Sequence, residues 1–231
     1  MTMRSWSFLS VLILSTGLLV AADVDLVETA LAAMDEASQD RWAYTQTMIE
    51  NGTEVVIRYD PSRPEDQRFS VVSVDDRSPT EAEEEKYLER ANNDSSDHDE
   101  SDEGNEIRAM IEPESLTPIE ETETHMLYSF QPVAVDEDDR KLYEHLEATL
   151  RLAKSPPHVE SIEMRSPKPF SLGFGIKIKQ FELILTFAPV DGDVLPRTVS
   201  TRIVGRAMLF KKVEEAIRVT YSDYRRVDPG E

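Results

Sequence analysis

The spacing of apolar residues changes character along the chain. A mostly apolar run comes first, a helical repeat follows, and from Trp42 onward apolar and polar residues mostly alternate. The first run, Phe8 to Val20, is interrupted only by Ser10, Ser15, Thr16 and Gly17. Arg4 precedes it, and Val20-Ala21-Ala22 places small residues ahead of Asp23. This is the layout of a cleavable secretory signal peptide over residues 1–22, since the run is closer to the roughly 7–15 residues of a signal core than to the ~20 of a membrane span. From Val24 to Ser38, Leu26, Ala30, Leu31 and Met34 recur at helical spacing, with Asp25, Glu28, Asp35 and Glu36 on the wetter sides, which predicts an amphipathic helix.

Two alternating runs, Trp42 to Glu50 and Thr53 to Tyr59, flank Asn51-Gly52, the dipeptide favoured in two-residue hairpin turns because both positions need a positive φ. Pairing Glu50 with Thr53 sets Met48 opposite Val55 and Tyr44 opposite Tyr59. Trp42, Tyr44, Met48, Val55, Ile57 and Tyr59 then share one face, and Thr45, Thr47, Glu54 and Arg58 take the other.

Beyond a polar loop from Pro61, Phe69 to Val74 predicts a third strand. Ser78-Pro79-Thr80-Glu81 has the form of a helix start, with Ser78 as cap and Glu81 reaching back, for a helix to about Ala91. Asn92 to Asn105 is charged, rich in Ser and almost without apolar residues, the composition of a mobile acidic loop. Ile107, Met110 and Ile111 suggest a short helix stopped by Glu112-Pro113. Thr117 to Glu121 and His125 to Val133 read as paired strands, and Asp138 to Tyr143 as a helical turn. Leu146 to Ala153 and His158 to Ser166 pair about Ser155-Pro156-Pro157.

In the last third, Phe174, Ile176 and Ile178 share one parity while Phe181, Leu183, Leu185 and Phe187 share the other. A bulge near Lys179-Gln180 reconciles them. Asp191-Gly192 marks the next turn, and an odd-length loop there pairs Leu185 with Val199 and Phe181 with Ile203. Two further strands, Arg197 to Phe210 and Glu215 to Val227, complete the sheet. The expected fold is mainly β, with an α+β element order: a curved antiparallel sheet or open half-barrel of about nine to eleven strands with two or three covering helices, forming one domain over residues 23–231.

Composition narrows the setting. The net charge is −21 and there is no Cys. From Arg151 onward 14 Lys or Arg face 10 Asp or Glu, so residues 23–150 carry −26. Nucleic acid is a poor partner for such a chain, because it is held by a basic footprint. Small secreted domains lean on disulfides, whereas a mature chain of roughly 200 residues can bury a core without them. With the signal-like start, this points to a soluble periplasmic protein with no membrane anchor after cleavage.

Candidate chemistry is sparse. His98, His125, His145 and His158 form no metal-ligand spacing, and the sequence carries neither a cofactor motif nor a Gly-x-Ser-x-Gly elbow. The row Lys177, Lys179, Arg202, Arg206 and Arg218 has two readings: contact with an anionic lipid or partner, or pairing with Glu182, Glu214 and Glu215 on a wet face. The stripe Trp42, Tyr44, Met48, Val55, Ile57 and Tyr59 also has two, as ordinary core or as the lining of a cavity for an acyl chain.

Three short stretches carry a resemblance: Trp42-Ala43-Tyr44-Thr45-Gln46, Arg58-Tyr59-Asp60-Pro61 and Tyr221-Ser222-Asp223-Tyr224-Arg225-Arg226. With the order of elements, they resemble the LolA/LolB-like carriers of the periplasmic lipoprotein-localisation superfamily. That resemblance implies an open half-barrel with a helical lid over an apolar cavity for lipid or lipoprotein acyl chains. The expected function is non-enzymatic binding of a hydrophobic ligand in envelope maintenance. Two other readings stay open, recruitment of an envelope protein through the acidic loop or a sheet edge, and an undetected hydrolase.

Overall fold

The structure, a computed structural model, describes residues 19–35, 41–96, 107–136, 139–173, 175–207 and 211–227. It contains eleven antiparallel strands: β1 (Trp42–Glu50), β2 (Thr53–Tyr59), β3 (Phe69–Val74), β4 (Thr117–Glu121), β5 (His125–Phe130), β6 (Glu147–Lys154), β7 (Pro157–Arg165), β8 (Phe170–Ser171), β9 (Ile176–Val190), β10 (Asp193–Ala207) and β11 (Lys211–Arg226). They form one sheet in the order β3-β2-β1-β11-β10-β9-β7-β6-β5-β4, with β8 beside β9. β3 and β4 end this order without meeting, so the sheet is open, as expected for the mainly β fold. Among the described residues the helices are α1 (Leu19–Asp35), α2 (Glu81–Ser96) and α3 (Arg140–Tyr143), with a single helical turn at 107–109 where a short helix is expected. No helix among the described residues is long and apolar enough to cross a membrane, which says nothing of crossing by strands.

The first hairpin has the predicted register, with Glu50 opposite Thr53, Met48 opposite Val55 and Tyr44 opposite Tyr59. Asn51 and Gly52 sit at φ 51° and 93°, the left-handed pair that the two-residue turn demands. The bulge in β9 is also where the alternation places it. Gln180 pairs with Val204 and Ile178 with Gly205, leaving Lys179 as the extra residue.

Three expectations are corrected. Leu185 does pair with Val199 and Phe181 with Ile203, but the loop between β9 and β10 is not odd: Val190 pairs with Asp193 across Asp191-Gly192. The register shift lies inside β10, between Pro196 and Thr198. Proline has no N–H to give to the ladder, so a break beside Pro196 costs the sheet little. The start of α2 is the second case. Thr80, not Ser78, forms the capping box: its Oγ1 accepts from Glu83 N at 3.4 Å, and Glu83 Oε2 accepts from Thr80 N at 2.9 Å. Arg77 selects this pair by gripping Glu83 with both guanidinium nitrogens, at 2.8 and 2.6 Å, which holds that carboxyl well below the usual carboxylate range.

The third correction concerns the acidic loop expected over 92–105. α2 continues through its first residues to Ser96, and 97–106 lie outside the described residues. Asn, Asp and Ser cost a helix only up to about 0.7 kcal/mol each relative to Ala, and no Gly or Pro interrupts the chain before Gly104. The expected signal segment falls mostly outside the description, since residues 1–18 are not described. α1 begins at Leu19 and runs through Val20-Ala21-Ala22.

Candidate functional site

Both long helices cover the same face of the sheet, one over each flank. Val27, Ala30, Leu31 and Met34 of α1 follow helical spacing and pack into the main core with Leu150, Leu152, Ile162, Met164, Phe181 and Leu185. Arg108 Nη2 meets Glu28 Oε2 at 3.1 Å and ties this helix to the 107–109 turn. On the other flank Tyr87 of α2 is buried in a second cluster with Met48, Val55, Ile57, Val71 and Val74. Arg90 Nη1 reaches Glu50 Oε2 at 3.1 Å, fastening α2 to the end of β1.

The two clusters meet along β10 and β11. Val199 packs against the first and Val219 against the second, and these residues are direct cross-strand partners. Thr201 and Ile217 form the next pair on that face, followed by Ile203 and Glu215. Val199, Thr201, Ile203, Ile217, Val219 and Tyr221 are all half-buried, and no described residue of β11 is fully buried. This inverts the usual arrangement, in which the middle strands of a sheet carry its most buried side chains. β11 lies fourth in the order, yet α1 packs chiefly on β7 and β10 and α2 on β3, and neither settles on it. The result is an apolar seam between α1 and α2.

The aromatic residues gather at one end of this seam. Tyr44 stacks on Tyr59 with centroids 4.9 Å apart, and meets Tyr221 and Tyr224 at 5.6 and 5.7 Å. Trp42 stands edge-on to Tyr224, and Phe69 lies 4.9 Å from Tyr59. The three stretches 42–46, 58–61 and 221–226, far apart along the chain, therefore converge in space. Asp60 adds to the junction. It accepts from Ser62 Oγ at 2.6 Å and from Ser62 N at 3.1 Å, and faces Arg225 at 3.4 Å across the sheet. The Ser62 hydroxyl chiefly lowers the Asp60 pKa, with the Ser62 amide, Arg225 and Arg63 helping against the cost of burial.

Tyr224 anchors the cluster: its hydroxyl donates to the Pro196 carbonyl at 2.7 Å, beside the break in β10. Burial pushes this phenol far above its ordinary value; Tyr221 acts in the same direction and Arg197 opposes it. The unfolded chain ionises Tyr224 near pH 10 while the folded chain keeps it neutral. Stability from this group is therefore complete below about pH 10 and falls as pH rises beyond it. The expected result is a Tyr224→Phe variant whose melting temperature declines less between about pH 9 and pH 11 than that of the parent chain. Parallel declines would show that the Tyr224 hydroxyl is not protected.

All six residues of the predicted stripe share the inner face, and all are buried: Trp42, Tyr44, Met48, Val55, Ile57 and Tyr59. Met48, Val55 and Ile57 form the floor under α2, and the three aromatic residues belong to the cluster above. The accessible apolar strip lies next to them on β10 and β11. The alternation of Ile217, Val219 and Tyr221 marked it as a sheet face, but no local signal marks a face as uncovered.

Polar groupings elsewhere have structural explanations. Glu160 accepts from His125 Nε2 and from Arg151 Nε, each at 3.0 Å, while Thr124 Oγ1 lies 2.7 Å from His125 Nδ1. The order Thr, His, Glu suggests a relay. However, Glu160 is shared with an arginine, and Thr124 and His125 are neighbours in the turn into β5, where Thr122 Oγ1 accepts from both of their amides. The set fastens β5, β6 and β7 together. His158 is buried, with Nδ1 2.8 Å from the Pro156 carbonyl. His145 stacks on Phe170 at 4.6 Å, and His98 lies outside the described residues. Among the described residues no three His, Asp or Glu side chains gather as a metal site.

The fold and the seam define a class of architecture: an open antiparallel sheet with a helix over each flank and a half-buried apolar strip at its centre. No protein-family model, curated protein or solved structure matches this chain.

Proposed function

We propose that the chain is a non-enzymatic carrier that binds a hydrophobic ligand, a lipid or acyl chain, along the seam between α1 and α2. One observation carries this reading: β11 lies near the middle of the sheet, yet its inner apolar side chains Ile217 and Val219 stay half-buried and no described residue of the strand is fully buried. Leaving apolar area exposed forfeits roughly 25 cal/mol per Å² of burial, so a contiguous apolar strip calls for an occupant. Val199, Ile203, Ile217 and Val219 supply the apolar floor. Tyr221 sets a polar tip at its edge, which suits the headgroup end of an amphiphile. The signal-like residues 1–22 direct this carrier to the periplasm, in keeping with the LolA/LolB-like layout, and envelope maintenance is the role that fits.

The test is uptake of a fluorescent fatty acid by the purified chain, with extraction of any lipid it carries. Ile217→Asp is expected to weaken uptake about tenfold or more, because it sets a charge where the chain would lie. Ile49→Asp lies on the opposite face, where Ile49 is 42% exposed, and is expected to leave uptake unchanged. A chain that is free of lipid and takes up no probe, or uptake indifferent to Ile217→Asp, would overturn the reading.

A further inference from the structure

The three longest strands extend beyond the rest of the sheet. β7 pairs with β9 only at Glu182 to Thr186, and β1 pairs with β11 only from Ile217 onward. Residues 176–181, 202–207 and 211–216 therefore form a three-stranded arm, bordered by β8 and by single backbone contacts from Ser166, Leu172 and Asn51. The arm holds six Lys or Arg, namely Lys177, Lys179, Arg202, Arg206, Lys211 and Lys212, all exposed, against Glu214 and Glu215. The whole chain carries −21, so this is a positive projection on a strongly negative body.

The register makes the arm more unusual than its composition. Arg206 lies directly opposite Lys177 on one side and Lys212 on the other, a row of three cations across three strands. Strands are about 4.8 Å apart, so the row spans roughly 10 Å. Like charges placed opposite each other destabilise a sheet. Cross-strand neutralisation accounts for part of the basic set, since Arg202 faces Glu182, and Lys212 holds Glu214. It does not account for the row itself. Among the described residues, neither Lys177 nor Arg206 forms an ion pair. At the end of the arm Ile176 is 42% exposed, opposite Ala207, which is in turn paired with Lys211.

We propose that this arm docks on an anionic bilayer surface. A lateral row of three cations, two of them without an ion pair among the described residues, matches a plane of phosphate headgroups. The chain as a whole carries −21 and is repelled by such a surface, so the net positive arm also orients the protein. A second copy of the chain is the weaker partner, because two bodies of this charge repel each other.

The experiment is co-sedimentation of the full chain with phosphatidylglycerol-containing vesicles and with pure phosphatidylcholine vesicles. Binding is expected to the anionic vesicles alone, strong at about 0.05 M salt and lost at about 0.5 M as screening shortens the reach of the charges. Each basic residue near an anionic surface strengthens binding by about fivefold, so Lys177→Gln, Arg206→Gln and Lys212→Gln together are expected to weaken it about a hundredfold. The same variant is expected to melt no lower than the parent, because it relieves a like-charge row. A control variant, Arg63→Gln with Arg140→Gln, removes exposed cations from the body and is expected to keep parental binding.

The proposal is overturned by no binding at low salt, by unchanged binding of the triple variant, or by equal loss in the control. Salt-sensitive self-association that the triple variant abolishes, without vesicle binding, overturns it in favour of a second copy. Uptake of the fatty-acid probe reads the seam separately: the triple variant should retain it, and Ile217→Asp should retain vesicle binding.

Discussion

Trp42→Ala is expected to cost about 3–5 kcal/mol of stability, the range for deleting a large buried aromatic side chain. For a chain of this length that lowers the melting temperature by about 6–20 °C. Trp42 is 0% exposed and joins the first strand of the hairpin to the last strand of the chain. Its ring stands at 89° to Tyr224, 6.2 Å between centroids, and the Arg226 guanidinium lies 5.8 Å from the ring. The indole N–H donates to Asp193 Oδ2 at 2.9 Å, at the start of β10. Alanine would leave a cavity beneath the aromatic cluster and remove the donor from a carboxylate held at its edge. Trp42→Phe separates these effects, keeping most of the ring and losing the hydrogen bond. It should cost about 1.5–3 kcal/mol, the usual worth of a hydrogen bond to a charged group. Chemical denaturation of the two variants checks both values. A loss under about 1 kcal/mol for Trp42→Ala would mean that β1 and β11 are held together by something other than this packing.

Gly205→Ala has the second largest expected effect, about 1–3 kcal/mol, although it adds a single carbon. The bulge at Lys179 draws β9 tightly onto β10, and a Cβ at position 205 would come within 2.6 Å of the Lys177 carbonyl oxygen. That oxygen is backbone and cannot swing aside as a side chain could. The two strands must therefore separate toward the end of the arm. Thermal unfolding should show the loss, and hydrogen exchange should show faster opening at residues 176–178 and 205–207 than in β6 and β7. Uniform loosening, or a melting temperature equal to the parent's, would refute the close approach. The variant also bears on docking, because Lys177 and Arg206 belong to the strands it pushes apart.

The expectations that held rest on interactions local in the chain or on strict alternation. Asn51-Gly52 and the alternating runs beside it specify turn and register together, so every pair in the first hairpin follows from about eighteen consecutive residues. The parity change between Ile178 and Phe181 needs one extra residue in β9, and the bulge at Lys179 supplies it. The α1 stripe needs only helical spacing. The capping box of α2 was misplaced because Ser78 and Thr80 both satisfy the local pattern. The choice depends on Arg77 gripping Glu83, a contact between side chains.

By itself the sequence determined most of the elements, their faces and an acidic, Cys-free composition, because these depend on residue type and period. The tertiary structure alone decided that β11 joins β1 to β10, that the extra residue of β10 sits beside Pro196, and that Trp42, Tyr44, Tyr59, Tyr221 and Tyr224 meet. It also decided which part of the apolar face stays open. Alternation makes Val55 and Val219 equivalent, each an apolar residue on the inner face of a strand. Val55 is buried under α2, and Val219 is left half-buried on the seam. The physical reason is that burial depends on where two helices come to rest across a sheet, and no neighbour in the chain carries that information.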